Sequence, residues 1–317
     1  MRLSIIVPVY NVEQWLSRCL NSLFKQGLDE SDFEVVVIND GSKDGSLVMA
    51  QEFAAIHSNV KVITRENGGL SAARNTGIIV AQGKYVWFVD SDDFIEPNSI
   101  KHLLEYAVEN KLDVMCFNLQ LYFEDGGTKP YLNQSVCNGT VVTGDEFLVA
   151  QCMPPAAWAA LYRREFLLKN ELTFKEGILH EDLEFTPRAY FLAKKISYID
   201  KVVYNYFQRE GSIMRSNQNA KRANSLLSVC DSLYEFKKVH VGSGTKAWYV
   251  FDKEIAFVFS QSLAFVDVCG KGLLATYKKK PYYPLTVNSL MNKKEVLKIM
   301  LMNFSLKLYI CVSKFLR

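Results

Sequence analysis

Three carboxylates, Asp90, Asp92 and Asp93, stand within four residues of one another and follow directly on an apolar run. The run, Tyr85 to Val89, is aromatic and β-branched, which is typical of a strand buried on both faces of a parallel sheet. The acids therefore follow the carboxyl end of a strand, the edge where open α/β sheets bind ligands. Clustered carboxylates repel one another unless a cation or hydrogen-bond donors offset their charge. Such oxygen ligands suit Mg²⁺ or Mn²⁺, which complete their coordination with substrate phosphates.

The segments that precede the acids alternate between strand and helix patterns. Buried strands are predicted at Leu3–Val9, Phe33–Ile38 and Val60–Thr64, and a helix follows each of them. The helix after the third strand is expected at Ala72–Ala81, with Ser71 as its N-cap. Alternation of this kind argues for an α/β fold, a doubly wound parallel sheet with right-handed crossovers.

Polar turns follow these strands at the same edge as the acids. Their side chains converge there and offer contacts to a base, a ribose, phosphates and a metal ion. Taken singly, each has a simpler explanation: Asp40 caps a helix, Arg74 is a surface helix residue with a buried stem, and the acids form a solvated capping turn. The residues gathered at this edge besides the acids are Tyr10, Asn11, Asp40, Asn67 and Arg74.

Charge is distributed unevenly along the 317 residues. The net charge is +3, but residues 278–317 hold nine Lys or Arg and one acid, Glu295, so that this tail carries +8 and the rest −5. A basic tail on an acidic body argues against nucleic-acid binding by the whole protein and favours contact with a membrane surface. Residues 296–316 are apolar on most faces, which fits a helix packed on a partner or one that lies in a membrane interface.

Cysteine usage and hydropathy indicate the compartment. Seven cysteines are scattered without paired spacing, as expected in a reducing cytosol. The N-terminus lacks a signal-peptide pattern, and no window offers the roughly 20 apolar residues that a spanning helix needs. We expect a cytoplasmic protein, soluble or peripheral at the inner face of the cytoplasmic membrane.

Four ordered motifs carry a resemblance to a known family. They are Val7–Asn11, Ile38–Gly45, Asn67–Gly77 and Asp90–Asp93, and in order and spacing they resemble the family 2 glycosyltransferases of GT-A fold. The resemblance covers roughly residues 1–215. It implies a Rossmann-like, mostly parallel sheet with helices on both faces in a catalytic domain, residues 1–215, followed by a helical C-terminal region, residues 216–317.

The resemblance also implies the chemistry. Members of this family transfer a sugar from a nucleotide-diphosphate sugar, most often a UDP-sugar, with Mn²⁺ or Mg²⁺, and they invert the anomeric centre. Asp92 would bind the metal directly and Asp90 would face the ribose and the metal shell, while the role of Asp93 stays open. The positions implied to bind the nucleotide sugar are Pro8, Val9, Tyr10, Asn11, Asp40, Asn67, Arg74, Asp90 and Ser91.

A second acidic group, Glu181, Asp182 and Glu184, opens a predicted helix, where capping is one explanation. The family places a general base in a Glu-Asp pair at this point, which implies Asp182 as the base and Glu181 as its orienting partner. His180 is either a metal ligand or a hydrogen-bonded structural residue.

Trp158–Arg163 resembles the family's acceptor segment, except that Ala160 stands where lysine is common and so removes a cation from the pocket mouth.

The segment Tyr204–Ile213 resembles a mobile family loop over the diphosphate, with Arg209 and Ser212 as phosphate contacts. A flexible turn with a solvated arginine is the alternative. The Gln-X-X-Arg-Trp box of processive synthases is absent, so transfer of one sugar to a glycan or a lipid-linked glycan, as in bacterial envelope or capsular polysaccharide assembly, is expected. Two other functions stay open: a catalytically idle module that binds a nucleotide sugar or lipid, and a sugar-phosphate nucleotidyltransferase.

Overall fold

The computed structural model describes residues 1–131, 138–150, 156–208, 219–266 and 271–315. The chain forms two compact units. The first contains Met1–Gly177 and Ala189–Ser216, and the second contains Ile178–Arg188 and Asn217–Arg317. The division into functional domains at residue 215 stays a prediction.

Nine described strands form one sheet in the first unit. Their order across the sheet is β3-β2-β1-β4-β8-β6-β9-β5, with β7 paired to β6. The strands are β1 (Leu3–Val9), β2 (Phe33–Asn39), β3 (Val60–Thr64), β4 (Tyr85–Phe88), β5 (Phe94–Ile95), β6 (Val114–Phe123), β7 (Thr128–Pro130), β8 (Ala160–Arg163) and β9 (Ile196–Gln208).

The four N-terminal strands are parallel, as the sequence predicts. Every residue of β1 and β2 is buried, because helices cover both faces of a parallel sheet. The rest of the sheet is mixed, so parallel pairing is less dominant than expected: β8 runs antiparallel to both β4 and β6, while β6 and β9 are parallel. The α/β fold and the helical C-terminal region are confirmed.

Twelve described helices accompany the strands. α7 is shared between the two units at Arg188, and α8 to α12 belong to the second unit. The helices are α1 (Glu13–Leu23), α2 (Ser46–Ile56), α3 (Leu70–Val80), α4 (Ile100–Asn110), α5 (Gly144–Val149), α6 (Arg164–Lys169), α7 (Glu181–Leu192), α8 (Asn219–His240), α9 (Lys246–Leu263), α10 (Lys271–Lys278), α11 (Lys293–Phe304) and α12 (Leu306–Phe315).

The start of α3 corrects one prediction. The helix begins at Leu70, and its N-cap is Gly69 rather than Ser71. Gly69 has φ +87°, a conformation that glycine adopts without strain. Further along α3, Gly77 lets the helix lie against β1, since a Cβ there would come within 2.3 Å of Ile6 Cγ2.

The C-terminal segment corrects another. The apolar stretch expected as one helix is two, α11 and α12, separated at Ser305, whose backbone is extended. An Asn292–Glu295 capping box starts α11. No helix within the described ranges is long and apolar enough to cross a membrane.

Candidate active site at the carboxyl edge of the sheet

Asp40 organises the turn that leads into α3. Its Oδ1 accepts the Gly68 N–H at 3.0 Å and its Oδ2 accepts the Gly69 N–H at 2.7 Å, while Arg65 Nη1 lies 3.3 Å from Oδ1. Asn67 Nδ2 donates to the Asp40 carbonyl at 2.9 Å. Asp40 is only 3% exposed. Asp40 therefore holds the backbone N–H groups just before α3, 28 and 29 residues further on, rather than capping α2, the helix that follows it directly.

The turn after β1 is tied to the turn after β2. The Asn11 N–H donates to Ser42 Oγ at 3.2 Å, and Asn11 Oδ1 accepts the Lys43 N–H at 2.8 Å. Asn11 has φ 51°, the left-handed conformation that asparagine tolerates. Pro8 and Val9 are buried in β1, whereas the Tyr10 side chain is exposed beside the turn. These two turns thus form one hydrogen-bonded rim.

Arg74 lies inside the protein. Its side chain is fully buried, its Nη2 donates to Asp90 Oδ1 at 2.7 Å, and its guanidinium lies 5.1 Å from the Phe174 ring centroid. The alternative of a surface residue with a buried stem is therefore wrong. Asp90 remains partly exposed. The buried Arg74 guanidinium therefore offsets the charge of a carboxylate that solvent can reach.

Asp93 has a structural role. Its Oδ1 accepts the Phe207 N–H and its Oδ2 accepts the Tyr204 hydroxyl, each at 2.7 Å. The same hydroxyl accepts the Asp90 N–H at 3.0 Å. Burial raises the pKa of Asp93 well above its ordinary value, and the charges of Asp92 and Asp90 raise it further. Because protein donors already occupy both its oxygens, Asp93 is poorly suited to bind a metal.

Arg18 is a residue of this edge that the sequence did not indicate. Its Nη2 donates to the Asp92 carbonyl at 3.0 Å. Its guanidinium lies 4.6 Å from the Phe94 ring centroid and 4.1 Å from that of Phe207. In the sequence Arg18 is one polar position on an amphipathic helix, and nothing local marks its contact with a turn 74 residues away.

The fit of a divalent ion rests on Asp90 and Asp92, both partly exposed. The described residues contain no group of three His, Cys, Asp or Glu placed to hold a metal. Mg²⁺ and Mn²⁺ commonly bind one or two carboxylates and take their other ligands from water and substrate phosphates. The repulsion that Asp90 and Asp92 exert on Asp93 is the kind a dication offsets. The residues present therefore fit a metal that arrives with a diphosphate.

The second acidic group lies at the start of α7, in the second unit. Glu184 is buried, and its carboxylate accepts from Arg188 Nη2 and from Ser232 Oγ, each at 2.6 Å. Glu181 is also buried, and Asp182 is the more exposed member of the Glu-Asp pair. Glu184 thus belongs to a structural ion pair, and Asp182 is the acid most open to solvent contact.

His180 precedes this group with φ 63°. Its Nε2 is buried without a hydrogen-bond partner among the described residues. Burial lowers the pKa of His180, and the charge of Arg222 lowers it further, so the imidazole is neutral near pH 7. Nε2 therefore makes no structural hydrogen bond to a described residue, and the role of His180 stays open.

The segment expected near the acceptor is part of the sheet core. Ala160 is fully buried in β8, and Trp158 stacks on Tyr204 with ring centroids 4.2 Å apart. The position where lysine is common therefore lies inside the sheet rather than at a pocket mouth. Arg209 and Ser212 lie outside the described residues.

A cavity of about 580 Å³ opens at the other end of β4, next to Lys84. Arg163, Arg164 and Lys169 are among its lining residues. Because Lys84 precedes β4 and the acids follow it, this basic cavity is separate from the candidate site.

An α/β sheet whose carboxyl edge collects carboxylates, a buried arginine and a glycine turn at a helix start is typical of proteins that bind nucleotides at that edge. Comparison with known sequences identifies the family. Residues 4–170 match the model of glycosyl transferase family 2, and the chain belongs to that family.

Curated relatives include GlyA of Streptococcus pneumoniae, 33% identical over 93% of this chain and 42% of its own length. EpsJ of Bacillus subtilis, an uncharacterized glycosyltransferase, is 35% identical over 66% of this chain and 62% of its own length. This chain thus spans about half the length of these two relatives. Among solved structures, residues 1–349 of Staphylococcus aureus TarS in complex with UDP-GlcNAc match with a TM-score of 0.69 and 26% identity, over 98% of this chain and 88% of that one.

Proposed function

We propose that this chain is a metal-dependent, inverting glycosyltransferase that moves one sugar from a UDP-sugar to a hydroxyl of a glycan or a lipid-linked glycan. The observation that carries the proposal is the carboxyl edge, where the turn held by Asp40 and the partly exposed Asp90 and Asp92 follow parallel strands of one sheet. Membership of family 2 favours sugar transfer over nucleotidyl transfer. The UDP-GlcNAc bound by the 26% identical TarS supports a uridine nucleotide.

The donor's nucleoside is assigned to the rim formed by the first two turns. The exposed Tyr10 and the backbone of Pro8 and Val9 would border the base, with Asn11 fixing their turn. Asp40 would accept from the base N–H, as the resemblance to the family implies. Asn67 and Ser91 complete the nucleotide contacts.

The diphosphate is assigned to the acids. Asp90 and Asp92 would hold Mn²⁺ or Mg²⁺, and the ion, when bound, neutralises charge on the leaving diphosphate. Arg74 orients Asp90 through their ion pair, and Arg18 fixes the Asp92 backbone. Further phosphate contacts are proposed for Arg209 and Ser212. Residues 1–215 would then form the catalytic domain and residues 216–317 a helical appendage.

The base is assigned to Asp182, with Glu181 as its orienting partner. Glu184 is a poor candidate because Arg188 and Ser232 already engage its carboxylate. Asp182 would take the proton of the acceptor hydroxyl as that oxygen bonds to the anomeric carbon. The bond from this carbon to the diphosphate oxygen breaks on the opposite face, and its electron pair leaves with the diphosphate. This single displacement inverts the anomeric centre.

The acceptor setting follows from the same proposal. A glycan built on a lipid at the inner face of the cytoplasmic membrane would need a cytoplasmic enzyme that contacts that surface. The basic tail of this chain, with +8 in residues 278–317, suits such a setting. Envelope or capsular polysaccharide assembly is the process proposed.

A donor screen tests the proposal. The full chain is incubated with UDP-glucose, UDP-galactose, UDP-GlcNAc and GDP-mannose, with and without Mn²⁺, and nucleoside diphosphate release is measured. We expect metal-dependent release of UDP from at least one donor, loss of release in Asp92→Asn, and no change in Asp29→Asn, which alters an exposed loop aspartate. An idle binding module would bind the UDP-sugar without cleaving it, so no UDP would be released. That result would refute the transfer reaction.

A further inference from the structure

Helix α11 presents large apolar side chains to solvent. Leu297 is 69% exposed, Met300 59% and Phe304 83%. Their spacing of three and four residues places them on one face of the helix. Ile299 and Met302 are buried on another face, and this is the face by which α11 packs in its own unit. The described part of the chain thus leaves these three side chains mostly open to solvent, and we call Leu297, Met300 and Phe304 the exposed apolar face.

Cations border the exposed apolar face. Lys293, Lys294 and Lys298 on α11 are exposed, as is Lys307 at the start of α12. The acid of this helix, Glu295, is engaged: it accepts the Asn292 N–H at 2.8 Å and lies 3.2 Å from Lys253 Nζ. The helix therefore offers an apolar stripe with a net positive border.

We propose that the exposed apolar face of α11 docks on an anionic lipid bilayer, with its apolar side chains in the interface and its lysines on the headgroups. An apolar stripe with Phe and Leu, bordered by lysine, is the pattern of helices that lie in the plane of a membrane surface. A second copy of this chain is a poorer occupant, because a symmetric pairing of α11 with itself would bring like-charged lysine borders together. The inference specifies the surface for the membrane contact proposed above, and it holds or fails independently of sugar transfer.

The experiment is flotation of the full chain with vesicles. One vesicle type is phosphatidylcholine alone, and the other contains equal parts of phosphatidylcholine and phosphatidylglycerol. We expect binding to the anionic vesicles at low salt and weak binding to the neutral ones. Each lysine near the surface contributes about fivefold to the affinity, so Lys293→Gln, Lys294→Gln and Lys298→Gln together should weaken binding about a hundredfold. Leu297→Ser with Phe304→Ser should weaken binding to a similar degree.

Matched controls change the same residue types elsewhere. Ile56→Ser replaces a side chain that is 75% exposed at the end of α2, and Lys101→Gln and Lys129→Gln remove exposed lysines from the first unit. These variants should float like the unmodified chain. Circular dichroism melting of every variant checks folding, and UDP release should stay unchanged in all of them. That second readout separates failure of this inference from failure of the transfer reaction.

Any of three outcomes would overturn the inference. The first is that the unmodified chain does not bind anionic vesicles at low salt, and the second is that the α11 variants float as well as the controls. The third is a concentration-dependent dimer, measured by light scattering, that the Leu297→Ser, Phe304→Ser variant converts to monomer without a change in flotation. The exposed apolar face would then be an interface between copies.

Discussion

The acidic edge of the first unit and the exposed apolar face of the second meet solvent in opposite ways. At the acidic edge, Asp40, Arg74 and Asp93 are almost wholly buried and their charged groups are held by protein partners. On α11, Leu297 and Phe304 are mostly exposed. The side chains of the acidic edge are held in place by the protein itself, whereas those of the exposed apolar face are held by few protein contacts.

The difference in burial between the two regions predicts different free-energy costs of substitution. Removing one partner of a buried charged pair leaves an uncompensated group and costs several kcal/mol. Exposed side chains can usually be replaced within about half a kcal/mol. Substitutions of the buried charged residues at the acidic edge should therefore impair both folding and binding, and substitutions on the exposed apolar face should impair binding alone.

The largest expected effect is the loss of transfer in Asp182→Asn. Removing a general base typically lowers the rate by about a hundredfold or more, while donor binding persists because only the transition state needs the base. Single-turnover transfer and UDP calorimetry measure the two quantities. Glu184→Gln is the matched comparison: it should lower the melting temperature, because it breaks the pair with Arg188. Equal loss of binding and transfer in Asp182→Asn would instead make Asp182 a helix cap.

Next in size is the effect of Tyr204→Phe on stability. The hydroxyl accepts the Asp90 N–H and donates to Asp93, so its loss leaves two buried groups unpaired and should cost about 2 kcal/mol. Urea denaturation measures the change. Tyr10→Phe, which alters an exposed ring at the same edge, is the control and should leave stability unaltered. If both variants unfold at the same urea concentration as the unmodified chain, the acidic edge is not preorganised by Tyr204.

The smallest expected effect concerns pH and the packing around α11. Burial raises the pKa of Glu254 from 4.5 to about 7, and the charge of Glu295 on α11 adds to the shift. A raised carboxyl pKa stabilises the fold below the unfolded value of 4.5, and that contribution is lost as pH rises through 7. The unmodified chain should therefore lose stability relative to Glu254→Gln over this range.

Melting temperatures of both proteins across that pH range measure the effect. Glu235→Gln, which changes an exposed acid on α8, is the control and should melt in parallel with the unmodified chain at every pH. A constant difference between the unmodified chain and Glu254→Gln would mean that Glu254 titrates normally.

The sequence predicts what local patterns determine. Apolar runs predict β1 to β4, and the parallel order of these strands predicts that Asp40, Asp90 and Asp92 lie at one edge of the sheet. Tyr204 is different, because it meets Asp93 across 111 residues and nothing near either residue signals the pairing. Arg18 shares that difficulty, since its partner is a backbone carbonyl far along the chain.

Two further features depend on tertiary context. The N-cap of α3 moves from Ser71 to Gly69 because Asp40, on another turn, already binds the N–H groups there. The two apolar faces of α11 have similar composition, so the sequence cannot tell that Ile299 is buried while Leu297 is exposed. Packing alone decides both.

The most direct test of the central claim is calorimetry of UDP binding, with and without Mn²⁺, in the unmodified chain and in Asp92→Ala. The account predicts that Mn²⁺ tightens UDP binding at least tenfold in the unmodified chain, a gain of about 1.4 kcal/mol, and has no effect in Asp92→Ala. Asp29→Ala, an exposed loop change, should retain the full metal effect. UDP affinities that are equal with and without Mn²⁺ in the unmodified chain would contradict a metal-assisted donor site at the acidic edge.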